Sequence, residues 1–224
     1  MRTFVRHNGL TLAFLTLFVL AVVFQAIAGW NMENEERDAH GEPTLSFLRY
    51  VTSSDFGQAV MENWQSEYLQ FTLFILLTVW LLQRGSPESK ELDKAGRESD
   101  KDQQVGEHAT EDSPRWAKVG GIRRRLYENS LLLVMGVIWI GSWFAQSVTG
   151  LSAYNSDRLS HQQDTVTWPS YLTSPDFWET TLQNWQSEFL AVASMAILAV
   201  YLRQRGSPES KPVGAAHDAT GVEG

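Results

Sequence analysis

Two carboxylates, Glu67 and Glu188, close identical five-residue blocks, Asn63-Trp64-Gln65-Ser66-Glu67 and Asn184-Trp185-Gln186-Ser187-Glu188, each directly ahead of an apolar run. An ionisable group at the edge of an apolar segment is costly unless it is solvated, paired or used to hold a proton or cation. Asn63 and Glu67 are spaced i, i+4 on one helix face, with Gln70 a turn further on, and Asn184 and Glu188 repeat that spacing ahead of Ala191. Gln25 and Gln146 stand near the ends of the preceding apolar runs, at a depth that permits bonds from Gln25 to Glu67 and from Gln146 to Glu188. Two chemistries fit. In one, these groups only join helices, each bond contributing about 0.6 and at most ~2 kcal/mol. In the other, Glu67 and Glu188 face each other across a pseudo-twofold bundle, where one raises the pKa of the other or both hold a cation. His40 and His161 are weak candidates to complete a His2Glu2 set for a divalent metal. As solitary loop residues they are expected to be solvated.

A second block carries charge at fixed spacing. Residues 83–90 and 204–211 both read QRGSPESK. Its local reading is complete: Arg reaches for head groups, Gly caps a helix, and Pro stops it. That role does not need eight identical residues. Arg84, Glu88, Lys90, Arg205, Glu209 and Lys211 are therefore candidate contacts for a cytoplasmic partner, although recent gene conversion between the two copies leaves the same trace.

The elements that position these blocks come in two sets. Both blocks recur at an offset of 121, and over residues 8–90 against 129–211 that offset pairs 31 identities in 83 positions. The chain reads as a tandem duplication: repeat 1 over 1–90, a linker over 91–128, repeat 2 over 129–211 and a tail over 212–224. Apolar runs at 10–30 and 131–150 are long enough to cross a hydrocarbon core of about 30 Å. Those at 68–82 and 189–202 are short, but Ser174-Pro175-Asp176 and Ser53-Ser54-Asp55 are helix starts, and Gly85-Ser86-Pro87 and Gly206-Ser207-Pro208 are stops. Helices of about 29 residues, some 44 Å long, follow from those signals. The expected fold is all-α and integral to the membrane: four transmembrane helices, near 9–30, 63–83, 130–150 and 184–204, arranged as two parallel helical hairpins.

Fifteen Lys and Arg fall in the N-terminal segment, linker and tail, against three in the loops between paired helices. That asymmetry predicts cytoplasmic termini and external loops, with Trp30, Trp64, Trp168, Trp178 and Trp185 as an outer aromatic belt. Arg2, Arg6 and Ala26-Ile27-Ala28 imitate a cleavable signal peptide. The same segment recurs at 129–150, where no signal can stand, so the first span is expected to be retained.

Composition excludes more than it assigns. The mean hydropathy of −0.22 averages apolar runs with polar connecting segments, and the net charge is −8. Residues 91–114 mix both charge signs without aromatics and read as a disordered tether. Trp116 with Arg123, Arg124 and Arg125 fits anionic head groups or ordinary positive-inside topology. Nothing resembles a nucleic-acid site. The absence of Cys removes thiol catalysis and thiolate metal sites. Walker, dinucleotide, G-x-S-x-G and H-E-x-x-H motifs are absent, so no cofactor and no catalytic residue is expected.

The paired NWQSE and QRGSPESK blocks on a duplicated two-span unit resemble a family of uncharacterised bacterial multi-pass membrane proteins, known as a domain of unknown function. The resemblance implies a bacterial inner-membrane protein and carries no activity. The reading it leaves is a non-enzymatic scaffold or sensor, with the lipid bilayer and either a second copy or a membrane or cytoplasmic protein as partners. The alternative is a small ion, proton or solute carrier using Glu67 and Glu188.

Overall fold

The computed structural model describes residues 2–223, and among them every regular element is helical. In chain order these are α1 (Arg2–His7), α2 (Gly9–Ala39), α3 (Phe47–Val51), α4 (Ser54–Leu77), a 3-10 turn (Gly106–His108), α5 (Ile122–Glu128), α6 (Ser130–Ser160), α7 (Trp168–Leu172) and α8 (Pro175–Tyr201).

Among the described residues, α2 and α6, each of 31 residues, are the helices long and apolar enough to cross a membrane. Only 6% and 17% of their most apolar stretches are buried, with Leu10 76% and Phe14 65% exposed. A core helix of a water-soluble domain would cover such side chains, because each brings about 1.5–3 kcal/mol on burial.

Both helices run past their expected ends near residues 30 and 150, to Ala39 and Ser160. The added turns contain no Gly or Pro to break them, and an Arg37–Glu33 ion pair at 3.5 Å supports the first of them. Each then closes in the same way. Glu42 N–H donates to Arg37 O and Gly41 N–H to Asp38 O, while Gln163 donates to Arg158 O and Gln162 to Leu159 O. This reverse turn needs one left-handed residue. Gly41 supplies it at φ +71°, and Gln162 is forced into it at φ +57°.

The chain divides into two compact units, one of residues 1–61 and 145–171, the other of residues 62–144 and 172–224. In the first unit each long helix holds the segment that follows it. Asn34 Nδ2 donates to Leu45 O at 3.1 Å and its Oδ1 accepts from Leu45 N–H at 2.6 Å. Asn155 makes the same pair with Val166, at 3.0 and 2.8 Å. One carboxamide thus engages both backbone polar groups of a residue that has no helix or strand to join. Arg37 Nε on Pro43 O and Arg158 Nε on Asp164 O add a second clasp. Tyr50 and Tyr171, both buried, lie so close to Gly29 and Gly150 that a Cβ at either glycine would collide with the phenol oxygen.

The starts of α4 and α8 follow the expected caps: Ser53 Oγ accepts from Phe56 N–H at 3.3 Å and Ser174 Oγ from Phe177 N–H at 3.2 Å, with Pro175 in the first turn. Their ends do not reach Gly85 and Gly206. In α4 the Thr78 hydroxyl bonds Phe74 O, Leu81 N–H returns to Leu77 O, and the helix closes at Leu77. In α8 the Arg203 guanidinium covers Val200 O at 3.1 Å and Leu202 O at 2.8 Å, so the last carbonyls stay satisfied as far as Tyr201. Leu82, at the corresponding place in the first copy, offers no donor. After each helix the QRGSPESK block is a turn closed on itself: Gln83 N–H donates to Ser89 Oγ and Gln204 N–H to Ser210 Oγ, both at 2.9 Å, with Gly85 and Gly206 left-handed at φ +85° and +84°.

Candidate functional site

Within the second unit the two NWQSE blocks meet. Trp185 Nε1 donates to Gln65 Oε1 at 2.8 Å, and Gln65 is 0% exposed. Ser66, also buried, bonds Asn63 O at 3.0 Å through its hydroxyl, which is in hydrogen-bonding reach of the Glu188 carboxylate. Glu188 is half-buried and electrostatically coupled to Glu67, which is exposed. Asn63 is exposed and Asn184 half-buried, its amide donating to Thr180 O at 2.9 Å. The blocks are identical in letters and unequal in place: Gln65 is buried, and Gln186, its counterpart, is exposed.

Aromatic side chains surround the junction. Trp143 on α6 lies 5.6 Å from Trp185, 6.3 Å from Phe177 in near-parallel stacking and 6.1 Å from both Trp139 and Trp178. Each such pair adds about 0.5–1.5 kcal/mol beyond its buried area. Gln65 Nε2, Thr181 Oγ1 and the indole nitrogens of Trp139 and Trp143 are buried without a protein partner. Four buried groups without partners in one neighbourhood mark a polar seam that an ordered water can complete.

Gln25 and Gln146 belong to the first unit; Gln25 is exposed, whereas Gln146 is 1% exposed with its Oε1 unpartnered. His40 and His161 do not lie in long loops: they follow directly on the last turns of α2 and α6, because the helices continue that far. Each is exposed and turns Nδ1 onto the carbonyl four residues back, Glu36 O at 2.8 Å and Asp157 O at 2.9 Å. Among the described residues no three His, Asp or Glu side chains converge as a metal would require.

The charged residues of QRGSPESK are divided in role. Arg84 pairs with Asp218 at 3.3 Å, and Thr220 Oγ1 accepts from Gly85 N–H at 2.8 Å, which ties the C-terminal tail to the first block. Lys90 reaches Glu98 at 2.5 Å and Gly96 O at 2.8 Å, and that hydrogen bond holds the Glu98 carboxyl below its ordinary range. Lys211 is 1% exposed, its ammonium donating to Ala216, His217 and Ala219 carbonyls. Arg84, Glu88, Arg205 and Glu209 keep open access to solvent. Glu88 and Glu209 line one cavity within interacting reach of each other; the partial covering of Glu88, and then that partner, push its carboxyl up to about 7.

Residues 1–222 match the family described as Domain of unknown function (DUF6766). The chain belongs to this family. No curated protein and no solved structure matches it. The family description assigns no activity.

Several residues of weight in this family member carry no motif. Asn34 with Asn155 and Arg37 with Arg158 organise the first unit, and their identity at the 121-residue offset was the available signal. Trp143 has no such trace, since position 22 is Val. Its importance comes from neighbours remote in sequence.

Proposed function

We propose that the chain is a non-enzymatic multi-pass membrane protein, a scaffold or sensor whose NWQSE blocks join its parts. The observation that carries this reading is the buried Gln65 carboxamide bonded to Trp185 of the other block. Blocks engaged with each other inside an aromatic cluster are suited to packing, and a Gln–Trp bond removed from water is worth most where competing water is scarce.

The membrane part of the proposal rests on α2 and α6, whose apolar surfaces are bare. The internal position of α6 argues against a signal sequence there. We read α4 and α8 as two further crossings, with short apolar halves of 68–77 and 189–201 continued by the turns that follow them. The tandem duplication is supported by paired geometry at the 121-residue offset: the Asn34 and Asn155 clasps, the Gly29 and Gly150 contacts, and the Ser89 and Ser210 turns. Cytoplasmic termini follow from the basic linker and tail, and a bacterial inner membrane from the family resemblance in the two blocks.

A carrier is the second reading, favoured by the Glu188 carboxylate standing within electrostatic reach of Glu67. The two readings separate in liposomes. For the scaffold, the Glu67→Gln, Glu188→Gln double variant keeps its helicity and its thermal midpoint, and neither it nor the wild type dissipates a pH gradient faster than empty vesicles. Gradient dissipation by the wild type that the double variant abolishes assigns the carrier instead.

A further inference from the structure

The Glu88–Glu209 pair stands at an apolar cavity of about 510 Å³ in the second unit, whose lining includes Phe71 and Phe74 from α4 and Val192 and Met195 from α8. Two features make this more than a pair of acids. The first is charge that the chain leaves uncompensated. Of the basic residues of the same blocks, Arg84 is engaged on Asp218, Lys90 on Glu98 and Lys211 on three backbone carbonyls, while Arg205 is exposed and does not line the cavity. No titratable residue of α4 or α8 lines the cavity, and Glu209 is the one charged group acting on Glu88 among the described residues. The second is the wall, where phenyl rings and a thioether offer a soft, polarizable surface beside the carboxylates. A cavity of this size, mostly apolar with a few convergent polar groups, is the usual form of a small-molecule site.

We propose that this cavity takes a lipophilic monocation from solution, an alkyl- or aryl-substituted ammonium or phosphonium, with its charge between Glu88 and Glu209 and its apolar groups on Phe71, Phe74, Val192 and Met195. Charge complementarity selects this occupant. A neutral lipid chain would leave the acids unmatched, and an anion would be repelled. A small hydrated cation would leave the apolar wall wet. The site is independent of the scaffold reading, which concerns the NWQSE junction.

A proton and the cation compete for the same pair. Below pH 7 Glu88 holds a proton that the neighbouring Glu209 favours. Binding a monocation returns one proton to solvent, so affinity rises about tenfold per pH unit below 7 and levels off above it. The raised carboxyl has the matching stability sign: its contribution is complete below about 4.5 and is lost as pH rises through about 7.

The test uses full-length protein in uncharged maltoside micelles, with radiolabelled tetraphenylphosphonium as probe and the isosteric anion tetraphenylborate as control, and protein-free micelles subtracted. The expected result is saturable phosphonium binding with that pH profile, little tetraphenylborate binding, and at least a tenfold loss in the Glu88→Gln, Glu209→Gln double variant. A misfolded variant would imitate that loss. The single Glu209→Gln variant guards against it, because removing the Glu209 carboxylate lowers the Glu88 pKa and moves the binding midpoint to lower pH, a gain that misfolding cannot produce. Equal binding of both probes, binding that ignores pH, or an unchanged double variant overturns the proposal.

Discussion

Gln65 shows what one side chain decides. Its Oε1 is bonded and its Nε2 is not, so the residue contributes through a single partner, Trp185. Gln65→Leu keeps the volume but orphans the Trp185 indole N–H, at a cost of about 1–3 kcal/mol. Trp185→Phe added to it removes the orphan, and the double variant is therefore expected to be less destabilised than the sum of the singles, by about 0.5–3 kcal/mol. Denaturant titration of the four species measures this coupling; additivity would mean the bond contributes nothing. Neither Gln65 nor its unequal counterpart Gln186 could be told apart in sequence, where their surroundings are identical letters. The difference lies in what packs on each, and local residues do not encode that.

At the scale of the element, the ends of helices are the informative places. The starts of α4 and α8 were legible because an N-cap is a local contract among three or four consecutive residues. Their ends were not, because Arg203 reaches back over the last turn of α8 and Leu82 cannot do so for α4. The ends of α2 and α6 share one reverse turn with unlike residues in its left-handed position. Gln162→Gly removes a strained conformation that costs a side chain roughly 1–2 kcal/mol, offset by the greater unfolded-state freedom of glycine. A net stabilisation of about 0.5–1 kcal/mol is expected, seen as slower amide exchange at Gln163, whereas Gly41→Gln should destabilise by a similar amount. Matching effects of the same sign at both sites would refute this account of the turn.

For the whole molecule, topology is the property on which every other assignment leans. A chain without Cys is well suited to labelling, since any introduced thiol is the sole target. In the proposed arrangement Glu35→Cys, near the end of α2, reacts with a membrane-impermeant maleimide added outside intact bacterial cells, and Ser113→Cys, in the linker, reacts only after lysis. Reaction of both from outside would overturn the proposed four crossings.

The sequence alone determined the features that depend on neighbours along the chain: helical class, two apolar helices of membrane-crossing length, capped helix starts, the recurrence of NWQSE and QRGSPESK, and membership of a family of unknown function. Those follow from periodicity, hydropathy and capping, which act over a few residues. Tertiary structure alone decided that Gln65 is buried while Gln186 is not, that Trp143 gathers an aromatic cluster, that Lys211 turns inward, and that Glu88 finds Glu209. These depend on which remote side chain arrives at a given point in space. Burial and the field of a neighbouring charge are properties of that arrival, and identical letters in two copies are given different chemistry by it.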